Sequence, residues 1–262
     1  MYIPINELIK GSRNEDSLIL LLNQAEEAFK SRINQWSGFV SAPIKAELIE
    51  RVSKLDELNC YSDGGYPNAE RQRICFSRVS GQINKRKSPA PLKGLNIEGN
   101  FLFDRAEILD FRNILEVLGT SSCEIGDIWL LGDRGAQVVS TPEAALHIDG
   151  RITKVRNIPI KFESVEINEL NLPLNRVPKV IKTVEASKRL DAIASAGFGL
   201  SRQKIINQIK LGRLRLNWMP IRQASRAVSK GDQIQLESKG SIEILNLEQT
   251  NRGRWRVELL RQ

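Results

Sequence analysis

Apolar positions in the opening part of the chain recur every three or four places: Leu18, Leu21, Leu22, Ala25, Phe29, Ile33 and Trp36, with charges between them. That period lays one stripe along a helix, and a second stripe of Leu48, Ile49, Val52, Leu55 and Leu58 follows Pro43, a residue suited to a first helical turn. The period then shortens. Gly64-Gly65 marks a turn, and Ile74, Phe76 and Val79 predict a strand. Residues 81–94, GQINKRKSPAPLKG, have no period, and their Lys, Pro and Gly content predicts a linker in which Lys85-Arg86-Lys87 is a solvated run, with phosphate contact as the alternative.

The middle of the chain alternates between the two periods. Leu95–Phe103 reads as a strand. Residues 104–119 read as a helix through Ile108, Phe111, Ile114, Leu115 and Leu118, stopped by Gly119. Ile128–Leu131 and Ala136–Val139 are short strands joined by Gly-Asp-Arg-Gly, a hairpin signal. Thr141-Pro142-Glu143 opens a helix with a capping hydroxyl, a proline and an acid in the first turn. A last strand is predicted around Ile158–Ile167. The order β-α-β-β-α-β is that of a ferredoxin-like sandwich, shared by RNA-recognition modules. AQVVS supplies no ring for base stacking, so this part is expected to act as a scaffold or protein-contact domain, with some RNA contact left open. Asn171–Thr183, with Pro173 and Pro178, reads as a second linker.

The last third holds two short helix patterns, a glycine stop at Gly212, the strand RLRLNW and a Lys230-Gly231-Asp232 turn before Ile234 and Leu236. A final hairpin closes on Asn251-Arg252-Gly253, with arginines at 252, 254 and 256. Within the second helix Ile205, Ile206 and Ile209 form the apolar stripe. Leu214 and Leu216 alternate inward, leaving Arg213, Arg215 and Asn217 outward. Trp218 is a candidate for base stacking or for hydrophobic cover.

Charge sharpens this division. From Ser187 onward there are 15 Lys and Arg against 6 Asp and Glu, an excess of nine, whereas the whole chain stands at +8, so the residues before Ser187 sum to −1. A near-neutral body with a strongly basic tail predicts a dedicated polyanion-binding module. Ser187 and Ser201 are both expected to cap helices, and each is followed by cations: Lys188-Arg189, then Arg202 and Lys204. Cations in a first turn oppose the helix dipole by roughly 0.3–1 kcal/mol each. A phosphate resting on free N–H groups at the helix starts would reverse that sign. Arg202 has a competing structural role, pairing with Asp191.

Other chemistry is sparse. Three separated cysteines, Cys60, Cys75 and Cys123, form no CxxC pair, and the single histidine, His147, is expected to be structural. No metal or cofactor is predicted. The longest aliphatic run, Leu18–Leu22, is far too short to span a membrane, and the opening residues lack a signal-peptide pattern. The predicted location is therefore the cytoplasm, or the plastid stroma in a plant or alga, as a monomer without membrane insertion.

The pattern RLDxxxxxxxxxSRxxxxxxIxxGxxxxN…GD resembles the ribosomal protein S-four type RNA-binding domain. SRQK, LNW, GGYPNAERQR at 64–73 and the GDI-centred hairpin at 126–139 narrow the resemblance to YlmH-type proteins, called the photosystem II S-four-domain protein in oxygenic phototrophs. The middle helix, DRAEILDFRNILEVLG, departs from the family's histidine-rich opening.

The resemblance implies a non-catalytic α+β protein in three parts: an N-terminal α+β domain at 1–88, a ferredoxin-like, RRM-like middle domain at 89–172 and an S-four-like RNA-binding domain at 183–262. It also implies binding to ribosomal RNA or tRNA on the large ribosomal subunit, in ribosome rescue and quality control. By match to the module, the RNA contacts fall on Arg189, Ser201, Arg202, Lys204, Asn207, Lys210, Arg213 and Asn217. The strand and turn add Arg215, Trp218 and Lys230.

Two other classes are weighed against this one. Pseudouridine synthases need a catalytic Asp after Gly-Arg-Leu, but Arg189-Leu190-Asp191 lacks that glycine. A methyltransferase needs a glycine-rich cofactor loop, which Gly94–Gly99 and Gly132–Gly135 match poorly. The nucleotide-binding motifs of a tyrosyl-tRNA synthetase are absent. An interaction factor for photosystem II assembly or cell division, with RNA as a tether, is the remaining alternative.

Overall fold

The computed structural model describes residues 3–12, 14–53, 55–79, 88–173, 178–217, 219–236 and 239–261. Lys85-Arg86-Lys87 and Trp218 lie outside the described residues. The chain is an α+β protein with three antiparallel sheets, divided into two compact units, Met1–Leu174 and Asn175–Gln262.

In the first unit, α1 (Ile5–Ile9) and α2 (Glu15–Ser31) precede β1 (Gln35–Val40), α3 (Ala42–Val52), β2 (Leu58–Asp63) and β3 (Gln72–Arg78). The first amphipathic stripe ends sooner than its spacing predicts. Arg32 turns left-handed at φ 58°, leaving Ile33 exposed and starting Trp36 on a strand. Leu58 likewise belongs to β2, so the second helical stripe stops at Val52. The strands order as β1-β3-β2, and α2 and α3 bury Leu18, Leu22, Ala25 and Leu48 against Ile74 and Phe76. Each fully buried side chain of this size contributes about 1.5–3 kcal/mol.

The second sheet of this unit comes from β4 (Lys93–Gly99), α4 (Ile108–Val117), β5 (Ile125–Leu130), β6 (Gly135–Ser140), α5 (Pro142–Ile148), β7 (Ile152–Val155) and β8 (Ile158–Val165). Its order is β5-β6-β4-β8-β7. The predicted caps hold, with Thr141 Oγ1 accepting from the Ala144 amide. The predicted single last strand is instead the β7–β8 hairpin. Its two-residue turn at Arg156-Asn157 places Arg156 at φ 52°, a left-handed position without the glycine that would have announced it. Gly135 sits at φ 118°, and a Cβ there would lie 1.9 Å from the Ile97 carbonyl oxygen, so only glycine lets β6 approach β4.

The sheet's helix-free face is not open. Leu170, after a 3-10 turn at Ile167–Glu169, packs with Phe39 and Val139. The Asn171 amide donates to Gln137 Oε1 at 2.8 Å, and Trp129 Nε1 donates to the Asn171 carbonyl at 3.0 Å.

The second unit has β9 (Lys179–Glu185), α6 (Leu190–Phe198), α7 (Arg202–Lys210), β10 (Leu214–Leu216), β11 (Met219–Pro220), β12 (Gln233–Leu236), β13 (Gly240–Gln249) and β14 (Trp255–Arg261). The sheet runs β11-β10-β12-β13-β14-β9. The predicted linker at 171–183 therefore gives up its end to β9, which pairs with the last strand of the chain; a partner so distant leaves no local signal. Leu190, Ile193, Ile205 and Ile209 cover Leu214, Ile234, Ile242 and Leu259.

Candidate nucleic-acid interface

The two helix starts differ. Ser201 caps α7 as predicted, its hydroxyl accepting from the Lys204 amide at 3.3 Å. Ser187 does not cap α6, whose N-cap is Arg189. The segment 223–228 folds back over that start instead. The Leu190 amide donates to the Arg226 carbonyl at 2.8 Å, Asp191 to Ala224 at 3.0 Å, and Val228 to Lys188 at 2.9 Å. The Ala192 amide is bound by Asp191 Oδ1 at 2.9 Å. The expectation of a phosphate on free amides at both helices is thus corrected for α6: its leading N–H groups are satisfied within the protein.

What α6 offers is a carboxylate. Asp191 is 1% exposed, and its two oxygens accept from Arg189 Nε and Nη2 at 3.1 Å and from Arg202 Nη2 at 2.9 Å. Burial alone would raise its pKa. The hydrogen bonds and charges of the two arginines outweigh that and hold the carboxyl below its ordinary value. The structural role weighed for Arg202 is therefore present. Yet the Arg189 and Arg202 side chains remain 44% and 54% exposed, and each guanidinium has five N–H donors, so both keep donors facing solvent. One buried anion, shared by the ends of two helices, gathers two cations and orients them outward.

Around this pair the predicted residues divide. Ser201, Lys204, Asn207 and Lys210 are exposed along α7, and Ile205 and Ile209 anchor its other side. Arg215 projects from β10 opposite Gln235, between the inward Leu214 and Leu216, and Arg213 precedes it half-buried. Lys230 is exposed in the turn before β12.

Asn217 does a backbone job. It stands at φ 50°, its Nδ2 donates to Asp232 Oδ1 at 2.8 Å, and its Oδ1 accepts from the Gln233 amide at 2.8 Å. Two exposed cations escaped the sequence reading: Arg222 and Arg226, on or beside the segment that covers the α6 start. Neither lies on a periodic element. The one available signal was their position before the Lys-Gly-Asp turn.

A family model described as "S4 domain" matches residues 188–234, covering both helix starts, and one described as "YlmH, N-terminal" matches residues 13–80. The chain carries a C-terminal S4 RNA-binding domain and is similar to YlmH proteins over its N-terminal part. A curated relative, "Ribosome-associated protein quality control protein P2" of Bacillus subtilis (strain 168), is 25% identical over 253 residues, covering 90% of this chain and 95% of that protein. A solved structure, "Cell division protein ylmH from Streptococcus pneumoniae", aligns at a TM-score of 0.46 and 17% identity, covering 61% of this chain and 96% of that one.

The other YlmH-like passages meet inside the first unit. Asp127, from the GDI hairpin, accepts from Tyr66 Oη at 2.6 Å, the Glu70 amide at 2.7 Å and the Arg71 amide at 3.0 Å, all within GGYPNAERQR. Arg71 returns the contact. Its Nε donates to the Ile125 carbonyl at 2.9 Å, and its Nη2 to Ser122 at 2.7 Å and Phe39 at 3.3 Å. Burial, with Arg112 nearby, lowers the Arg71 pKa, and burial against Asp127 raises that of Tyr66. Those motifs join the first two sheets.

Proposed function

We propose that this protein is a non-catalytic RNA-binding factor that grips structured ribosomal RNA or tRNA on the large ribosomal subunit and acts in the rescue and quality control of stalled translation. The observation that carries the reading is the Arg189–Asp191–Arg202 constellation on the S4 domain, with Lys204 exposed in the first turn of the helix that Arg202 opens. Paired guanidinium groups suit phosphate geometry, and structured RNA is recognised largely through backbone and shape. The name of the Bacillus relative supports the ribosomal setting.

The first unit supplies docking rather than base stacking, because its second sheet is covered by its own chain. The order β5-β6-β4-β8, with α4 and α5 packed into its core, supports a ferredoxin-like middle domain extended by β7, and hence the three-part division at 1–88, 89–172 and 183–262. The RNA contacts are assigned to the predicted positions other than Asn217, which holds the turn, together with Arg222 and Arg226. No helix among the described residues is long and apolar enough to cross a membrane. Cytoplasmic action as a monomer is part of the proposal.

The test is co-sedimentation with ribosomal subunits at low and moderate salt, followed by sequencing of crosslinked RNA. Salt-sensitive association with the large subunit and crosslinks to its RNA or to tRNA are expected. A protein that stays off ribosomes in both salts refutes the ribosomal assignment.

A further inference from the structure

We propose that the tip of the β13–β14 hairpin is a second RNA-phosphate contact, made by Arg252 and Arg254 with Arg256 on its flank. This rests on the RNA-binding reading above and extends it beyond the matched S4 segment, which ends at residue 234.

The placement follows from register. β9 leads directly towards α6, and its last residue, Glu185, pairs with Trp255, the first residue of β14. The hairpin tip at 250–254 therefore projects from the same end of the sheet at which α6 begins. Lys188, immediately before the α6 N-cap, closes the gap by lying 4.7 Å above the Trp255 ring. The basic surface thus runs from Arg189 through Lys188 to the tip.

The tip is built for an anion. Gly253, at φ 73°, makes a tight turn flanked by Arg252 and Arg254, and the turn is held by the Thr250 and Arg254 backbones at 2.7 Å. A shallow groove there is lined by Thr250, Asn251 and the three arginines, with Glu248 as its one acid. Among the described residues no carboxylate lies within ion-pair distance of any of the three guanidinium groups, whereas Arg189 and Arg202 share Asp191. Three like charges in five residues, with Glu248 opposite Arg256 as the one acid, repel one another, and a polyanion removes that cost. Thr250 and Asn251 add polar groups suited to sugar hydroxyls. A lipid surface fits less well: no large apolar side chain stands at the tip, since Trp255 packs against the core.

The test uses the full chain and a fluorescein-labelled unfractionated tRNA probe, titrated from low to moderate KCl. Arg252→Gln with Arg254→Gln should leave the melting temperature unchanged, weaken binding about tenfold and flatten the log–log salt slope by about 1–2. Lys204→Gln serves as the helix-side reference.

If the hairpin variant binds like the parent while Lys204→Gln weakens binding, the hairpin proposal is overturned and the RNA reading stands. If the parent fails to bind the probe at low salt, the reading beneath it fails as well. Vesicles of phosphatidylserine and phosphatidylcholine form the last arm. Loss of vesicle binding in the hairpin variant, with tRNA affinity intact, reassigns the tip to lipid and overturns the proposal.

Discussion

Two aspartates organise this molecule, and they do so in opposite ways. Asp127 spends its oxygens on a tyrosine hydroxyl and two backbone amides, and the neighbouring Arg71 spends its guanidinium on three carbonyls. That network is closed and joins two sheets. Asp191 is at least as deeply buried, but both of its arginine partners stand about half in solvent. That network is open: the carboxylate fixes where the cations sit and leaves them donors to spare. Both use an arginine and a carboxylate from family-like motifs, so the residue types alone do not separate a staple from a binding site. Exposure of the cation does.

The comparison can be broken most severely at Asp127. Asp127→Ala strands three donors at once and should cost the first unit about 3–5 kcal/mol, with RNA affinity changed less than about twofold while the protein remains folded. Calorimetry with tRNA binding on one sample checks both halves. A large loss of affinity in a folded variant would mean that the first unit also contacts RNA.

Asp191→Asn should reverse that balance, lowering stability by about 1–3 kcal/mol and RNA affinity by about tenfold as the two arginines lose their common anchor. Its pH dependence has a definite sign. The folded carboxyl has a depressed pKa, so its contribution is fully present above the unfolded value near 3.8 and is lost as pH falls through the folded value. The stability gap between parent and variant should therefore be constant near neutrality and shrink below about pH 4. A gap that persists undiminished at pH 2 contradicts the electrostatic account.

A conservative exchange sharpens the contrast. Arg71→Lys cannot reach three carbonyls in a fixed fork and should cost about 2 kcal/mol, whereas Arg202→Lys should cost below about 1 kcal/mol, as read by chemical denaturation. The smallest effect on stability belongs to Lys204, exposed and outside the Asp191 cluster. Lys204→Ala should stay within about 0.5 kcal/mol of the parent and flatten the salt slope of RNA binding by about 1.

Much of the second unit was legible because its signals are local. The Ser201 cap, the Ile205 and Ile209 stripe, the Leu214 and Leu216 alternation and the Asn251–Gly253 turn each depend on residues a few positions apart. Ser187 misled for the complementary reason. A serine before a basic helix start looks like a cap, but the amides it would bind were taken by Ala224 and Arg226, more than thirty residues away. Strand β9 was hidden because its partner is the last strand of the chain, and β7 because Arg156 occupies a left-handed position without glycine.

By itself the sequence determined the basic tail, the family-like motifs, most helices and the residues from which an RNA surface is drawn, since charge, period and cap chemistry are properties of neighbours. Only the tertiary structure decided which cations are left facing solvent and which are spent as a staple. Burial, and the supply of carbonyl acceptors from distant segments, set how many donors an arginine has left for a ligand. Arg71 commits three of its donors to carbonyls, whereas Arg189 and Arg202 commit two and one to a single carboxylate and stand about half in solvent.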